Sequence, residues 1–254
     1  MTRIGLALSG GGARGISHLG VIQALEEFGV KVSFVSGTSA GSIVGALYSY
    51  GYKPLQILEI IQKVSVFKSL NIAWTWTGLL SLDGLRDVLL AHMPENSFSA
   101  LKFPMTIAAT DLRKGSIEYF DAGELIPPIT ASCCVPAIFT PVQFKGNLYV
   151  DGGVLDNLPV KPIKDQCDFV IGVHCNPVNP NFDPKNLKSV VERSLLMAIN
   201  ASMLSSKALC DVFIEPAGLG NVSGFEIGKA KDLFDIGYEF TKKNFSPNNF
   251  PTRA

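Results

Sequence analysis

The placement of glycines narrows the fold more than any other feature of the chain. Short apolar runs end in glycine-rich turns and lead directly into segments of helical periodicity. Residues 4–8 run into Gly10-Gly11-Gly12-Ala13-Arg14-Gly15, and a helical pattern follows at 17–28. Residues 33–36 run into Gly37-Thr38-Ser39-Ala40-Gly41, and an apolar helical pattern follows at 40–50. Strand, tight turn and helix in that order form the repeating unit of a parallel sheet with helices on both faces. Further strands are predicted at 105–109, 116–120, 148–150, 169–173 and 212–214, and further helices at 55–63, 84–91, 189–205 and 229–243. Pro54 and Asp83 suit helix starts, and Gly29 and Gly51 suit left-handed caps. With no repeat or linker visible, residues 1–254 read as a single α/β domain, a three-layer α/β/α arrangement with a mainly parallel central sheet.

Composition excludes several classes. Apolar residues make up 47% of the 254 positions, and charged residues 17%, below the usual quarter or so. Such a chain buries a large core, leaves an unusually apolar surface, or both, and is not mainly disordered. Lys+Arg and Asp+Glu balance at 22 each, so the basic footprint of a non-specific nucleic-acid binder is missing. Cys133, Cys134, Cys167, Cys175 and Cys210 are odd in number and show no CxxC spacing, which reads as buried reduced thiols. No His, Asp or Glu cluster has metal-ligand spacing, so neither a metal nor another cofactor is expected. The uncharged stretches 32–52 and 125–144 are broken by Ser and Gly or by Pro, and read as core rather than membrane spans. Residues 4–8 are too short for a signal-peptide core. The expected location is the cytoplasm, with peripheral membrane contact as an option.

Three turns carry candidate chemistry. Gly10–Gly15 fits G-x-G-x-x-G, whose backbone N–H groups attract negative charge. A dinucleotide site also needs an acidic residue at the end of the second strand, and here that strand ends Val35-Ser36-Gly37. Gly37-Thr38-Ser39-Ala40-Gly41 fits G-x-S-x-G between strand and helix, the context of a nucleophile elbow. Taken alone, Ser39 reads equally well as a helix N-cap. Asp151-Gly152-Gly153 follows the strand at 148–150 and is either an ordinary turn or a carboxylate held at a strand end.

Together these turns resemble the patatin-like phospholipase family. Leu8-Ser9-Gly10-Gly11-Gly12-Ala13-Arg14-Gly15 with His18-Leu19-Gly20-Val21 is similar to its bacterial branch. Ala108-Ala109-Thr110-Asp111-Leu112, Ala131-Ser132-Cys133-Cys134-Val135-Pro136-Ala137 and Asp151-Gly152-Gly153-Val154-Leu155-Asp156-Asn157-Leu158-Pro159 are similar to further family segments. The resemblance implies a Ser39–Asp151 dyad without a catalytic histidine. It also implies an oxyanion hole drawn from Gly10, Gly11, Gly12, Ala13 and Ala40, an anion contact or loop-fixing role for Arg14, and a lipid ester as substrate. An acyltransferase using the same dyad, or a binding protein with little turnover, are the competing functions. His18 reads as a neighbour of the glycine loop, His174 as a residue of the site edge of the sheet, and His92 as a surface residue. The segment 64–82 holds both tryptophans, Trp74 and Trp76, with Leu79 and Leu80, and reads either as a lipid-facing flap or as core packing.

Overall fold

The structure is a computed structural model that describes residues 2–63, 82–184, 187–222 and 229–251. The expected flap, with Trp74, Trp76, Leu79 and Leu80, lies outside the described residues apart from Leu82.

The strands are β1 (Ile4–Leu8), β2 (Val32–Thr38), β3 (Met105–Asp111), β4 (Ser116–Phe120), β5 (Val142–Phe144), β6 (Asn147–Asp151), β7 (Phe169–Val173) and β8 (Val212–Ile214). The helices are α1 (Ser17–Glu27), α2 (Ala40–Tyr50), α3 (Pro54–Lys63), α4 (Asp83–His92), α5 (Ile126–Ser132), α6 (Lys161–Lys164), α7 (Leu187–Ile199), α8 (Met203–Ala208) and α9 (Ala230–Asn244). The sheet order is β5-β6-β3-β2-β1-β7-β8, with β4 on β3. The pairs among β3, β2, β1, β7 and β8 are parallel, and those of β4, β5 and β6 are antiparallel. The sheet is thus mainly parallel.

Period-two alternation along the strands feeds two cores, as the pleat requires. Leu6 and Leu8 of β1, Val35 of β2 and Ile171 and Val173 of β7 face a large core shared with α1, α2, α3 and α9. Ala7, Phe34, Val170 and Phe213 face a smaller one closed by Leu158, Val160 and Ile163 of α6. This gives the expected helix, sheet and helix layers. Helices α5 and α6 and strand β5 were hidden in the sequence. Helix α5 carries Pro127 and Pro128 in its first turn, where no intrahelical N–H is needed, although Pro-Pro usually signals a break. The continuous helix expected at 189–205 is divided by a 3-10 turn, Asn200–Ser202, into α7 and α8.

The sheet brings two distant turns together at β3. A strand residue has one neighbour on each edge, and β4 lines residues 107–111 of β3 along one edge. Strands β2 and β6 therefore share the other. Parallel β2 ends with Thr38 opposite Ala108, and antiparallel β6 ends with Asp151 opposite Ala109. The two strands run towards each other and stop where they meet. Ser39 and Asp151, 112 positions apart by their numbers (151 − 39), become neighbours by register alone.

Candidate active site

Ser39 follows directly on β2 and caps the start of α2 with φ 51° and ψ −122°. Positive φ in a non-glycine residue costs on the order of 1–3 kcal/mol and persists only where the surroundings enforce it. Here α2 is drawn so tightly onto β1 that a Cβ on Gly41 would lie 2.3 Å from the Leu8 carbonyl oxygen, which leaves glycine as the only tolerated residue. The Ser39 N–H donates to Ser132 Oγ at 2.8 Å, and Ser132 Oγ donates to the Ala108 carbonyl at 2.7 Å. Ser132, placed by the hidden helix α5, therefore pins the strained turn to β3. Ser39 makes no side-chain cap bond, so its hydroxyl is not spent as an N-cap.

Asp151 is 6% exposed. Its Oδ1 accepts the Gly153 N–H at 2.7 Å, its own N–H donates to the Cys134 carbonyl at 2.8 Å, and its carbonyl accepts from Thr110 Oγ1 at 3.0 Å. Burial raises the Asp151 pKa to about 6, against the opposing pull of the neighbouring Ser39 side chain and of the Gly153 N–H. A carboxylate poised near neutrality beside a hydroxyl has the acidity wanted of a general base. Cys133 lies against the same pair, in contact with Ser39 and with Ser42 Oγ at 3.9 Å, but burial pushes its thiol far up and keeps it unreactive.

The glycine loop stands beside this pair. A Cβ on Gly10 would lie 3.1 Å from the Ser39 Cβ. Among the described residues no acceptor takes the N–H of Gly11, Gly12 or Ala13, which begin a 3-10 turn, Gly12–Ile16. The N–H of Ala40, first residue of α2, likewise has no intrahelical partner. Gly10 departs from expectation. Its N–H already donates to the Asn157 carbonyl at 3.1 Å, so it gives the site room rather than a donor. Arg14 is tied down as well: Nε donates to the Val222 carbonyl at 2.7 Å and Nη1 to Asn176 Oδ1 at 3.3 Å, so it braces the loop.

Neither buried histidine reaches Ser39. His18 Nε2 donates to the Ser9 carbonyl at 2.9 Å, while Nδ1 is buried without a partner. Burial lowers the His18 pKa to about 4. His174 has both ring nitrogens engaged, Nδ1 with Glu215 Oε1 at 2.7 Å and Nε2 with Asn200 Oδ1 at 3.2 Å. His174 has no ring nitrogen left for a serine proton. His174→Ala is therefore expected to keep esterase activity within about tenfold, since loss of a true general base costs 10²–10⁴; a larger fall at unchanged thermal stability would restore a triad. His92 is half-buried at the surface, against Tyr52.

Asn157, Ser132 and Asn176 were not singled out from the sequence. Polar residues in apolar segments were the available signal for Ser132 and Asn176, but the groups they meet are supplied only by the fold, and Asn157 acts through its own backbone carbonyl.

The patatin-like phospholipase family profile matches residues 6–164, more than half of the chain. The chain belongs to the patatin-like phospholipase family. An NTE family protein of Mycobacterium tuberculosis is 33% identical over 177 residues, 68% of this chain and 49% of the relative. Lysophospholipase NTE1 of Candida glabrata is 25% identical over 272 residues, 94% of this chain and 16% of the relative. This patatin-like chain thus spans about half the length of the mycobacterial relative and far less of the yeast one. Among solved structures, VipD from Legionella pneumophila shares the fold, with a TM-score of 0.54 at 17% identity over 95% of this chain and 66% of that one.

Proposed function

We propose that this patatin-like domain is a serine lipid acyl hydrolase that cleaves carboxylic esters of phospholipids or lysophospholipids. The observation that carries the reading is Ser39, held at positive φ on an elbow, with the buried Asp151 carboxylate brought beside it by strand register. Ser39 Oγ attacks the ester carbonyl as Asp151 takes its proton. The tetrahedral oxyanion collects hydrogen bonds from the N–H groups of Gly11, Gly12, Ala13 and Ala40. Collapse expels the alcohol, which takes the proton back from Asp151, and leaves an acyl-Ser39 ester. Water then attacks that ester, giving its proton to Asp151, and Asp151 returns that proton to the departing Ser39 oxygen as the free acid is released. The lysophospholipase name of the yeast relative supports the substrate class. The test is a panel of phospholipids, lysophospholipids and short esters with products identified by mass, run with and without an added alcohol. Free fatty acid as the sole acyl product supports hydrolysis; acylated alcohol in its place would make the domain a transferase.

Substrate of this kind sits in a bilayer or micelle, and one exposed surface suits that source. In α7 the positions Leu187, Val190, Val191 and Leu195 recur at helical spacing, yet Leu187 is 79% exposed and the other three exceed 40%. A helix ordinarily buries such a stripe. Helix α7 lies against the turn Gly152–Val154, next to Asp151, and the exposed Val154 and Leu155 continue the apolar surface. Helix α7 therefore reaches the edge of the site, and a lipid surface is the occupant of its exposed stripe. Val191→Glu with Leu195→Glu is expected to lower turnover of vesicle substrate at least tenfold while hydrolysis of a short soluble ester stays within twofold. Equal losses on both substrates would show that the stripe is needed for folding. Among the described residues no helix is long and apolar enough to cross a membrane.

A further inference from the structure

The Gly10 carbonyl gathers an unusual number of donors for one loop oxygen. Asn176 Nδ2 donates to it at 2.6 Å, Ser9 Oγ at 3.0 Å and Cys175 Sγ at 3.2 Å. Asn176 is 3% exposed and is itself held from two sides. Its Oδ1 accepts from Arg14 Nη1 at 3.3 Å, and its carbonyl accepts from Asn200 Nδ2 at 2.9 Å. Asn200 Oδ1 in turn takes a hydrogen bond from His174, whose other nitrogen is on Glu215. The amide of Asn176 thus has one orientation available, with its Nδ2 on Gly10.

The oxygen so fixed belongs to the same peptide plane as the Gly11 N–H. In a trans peptide the C=O and the following N–H point in opposite directions, and no cis peptide bond occurs among the described residues. Strand β1 lies between β7 and β2 in the sheet. Cys175 and Asn176 continue directly from β7, so the Gly10 C=O is anchored on the β7 side. The Gly11 N–H is thereby turned to the β2 side, where Ser39 stands. The loop packs closely onto this anchor: a Cβ on Gly11 would meet Cys175 Sγ at 2.3 Å and Asn176 Oδ1 at 2.9 Å.

We infer that Asn176 is a positioning residue for the oxyanion hole: by clamping the Gly10 carbonyl it aims the Gly11 N–H at the oxygen of the substrate carbonyl. The inference rests on the hydrolase reading above. It separates Asn176 from a residue that merely packs the loop, because aim matters only to the developing oxyanion. Loss of one oxyanion donor costs about 10²–10³ in rate, and loosening one, with Ser9 and Cys175 still in place, costs less.

The test uses Asn176→Ala and the isosteric Asn176→Asp, whose carboxylate would oppose the Gly10 oxygen. Substrates are a short soluble oxoester and its thionoester, in which the weakly accepting sulfur gains little from the hole. Asn176→Ala is expected to lower kcat for the oxoester about 10–100-fold with KM within threefold, and Asn176→Asp at least as far. The oxoester-to-thionoester rate ratio is expected to fall at least threefold in both. A wild-type ratio in either folded variant overturns the inference, whatever the loss of kcat, and so does unchanged kcat. If the alanine variant does not fold, the aspartate variant decides by the same readouts. Ser39→Ala run alongside keeps the two levels apart: activity surviving that change sinks the hydrolase reading itself, whereas its loss together with an unmoved Asn176 ratio sinks only the clamp.

Discussion

Ser39→Ala is expected to abolish ester hydrolysis, with a fall of at least 10⁴ in kcat, and to abolish covalent labelling by fluorophosphonates. The substitution removes the one oxygen able to form the acyl-enzyme and leaves the surroundings in place. The Ser39 N–H still donates to Ser132, α2 still starts at Ala40, and the glycine loop keeps its braces. Melting temperature should therefore change little, which separates loss of the nucleophile from loss of the fold. A companion variant, Ser39→Gly, sharpens the point. At φ 51° glycine relieves strain that alanine retains, offset in part by the extra freedom of glycine in the unfolded chain. That variant is expected to be equally inactive yet about 1 kcal/mol more stable than Ser39→Ala, as read by denaturant unfolding. A stability order with alanine above glycine would mean that the elbow is not strained, and residual labelling of either variant would place the nucleophile elsewhere.

The parts of this fold that could be read in advance are those in which local and tertiary preferences agree. Residues 4–8 and 169–173 are short apolar runs buried on both faces, and residues 40–50 form a helix with a left-handed glycine, Gly51, at its end. The three-residue strand β5 and the helix α5 gave no such signal. The first is too short to show alternation, and the second hides behind two prolines that its first turn tolerates. The site divides along the same line. Ser39 and Asp151 sit in turns whose glycines are required by close backbone approach, so their motifs are visible in one dimension. What lies around them is held by partners distant in sequence. Gly10 looked like a donor because its neighbours do, and only the Asn157 carbonyl on its N–H removes it. Arg14 looked available to an anion, and only Val222 and Asn176 show it at work as a brace. Hydrogen bonds between segments more than a hundred positions apart leave no local pattern, and such bonds brace the glycine loop.

Asp151→Asn is expected to lose at least a thousandfold in kcat while gaining stability at neutral pH, and both effects follow from the same burial. As a base, Asp151 acts only when ionised, so kcat/KM in the wild type should rise with pH through an acid limb near pH 6 and hold above it. An amide accepts no proton, and the limb disappears with the activity. The stability effect has the opposite sense. The folded pKa of about 6 lies above the unfolded value near 3.9, so the folded state holds a proton that the unfolded state has released between those values. Stability from this group is present below pH 4 and is lost as pH rises through 6. By about pH 7 the loss amounts to roughly 3 kcal/mol, at 1.36 kcal/mol per unit. His18 acts against it in the same window: its pKa is lowered to about 4, so its contribution is present above pH 6.5 and lost as pH falls through 4. The wild-type curve alone therefore mixes two slopes. The difference between Asp151→Asn and wild type cancels His18 and isolates the carboxylate. Denaturant unfolding at pH 4, 5, 6 and 7 should show that difference growing in favour of the variant by about 3 kcal/mol. A flat difference would mean that Asp151 is not raised in the folded state, and a flat kcat/KM profile between pH 5 and 7 would remove it as the base.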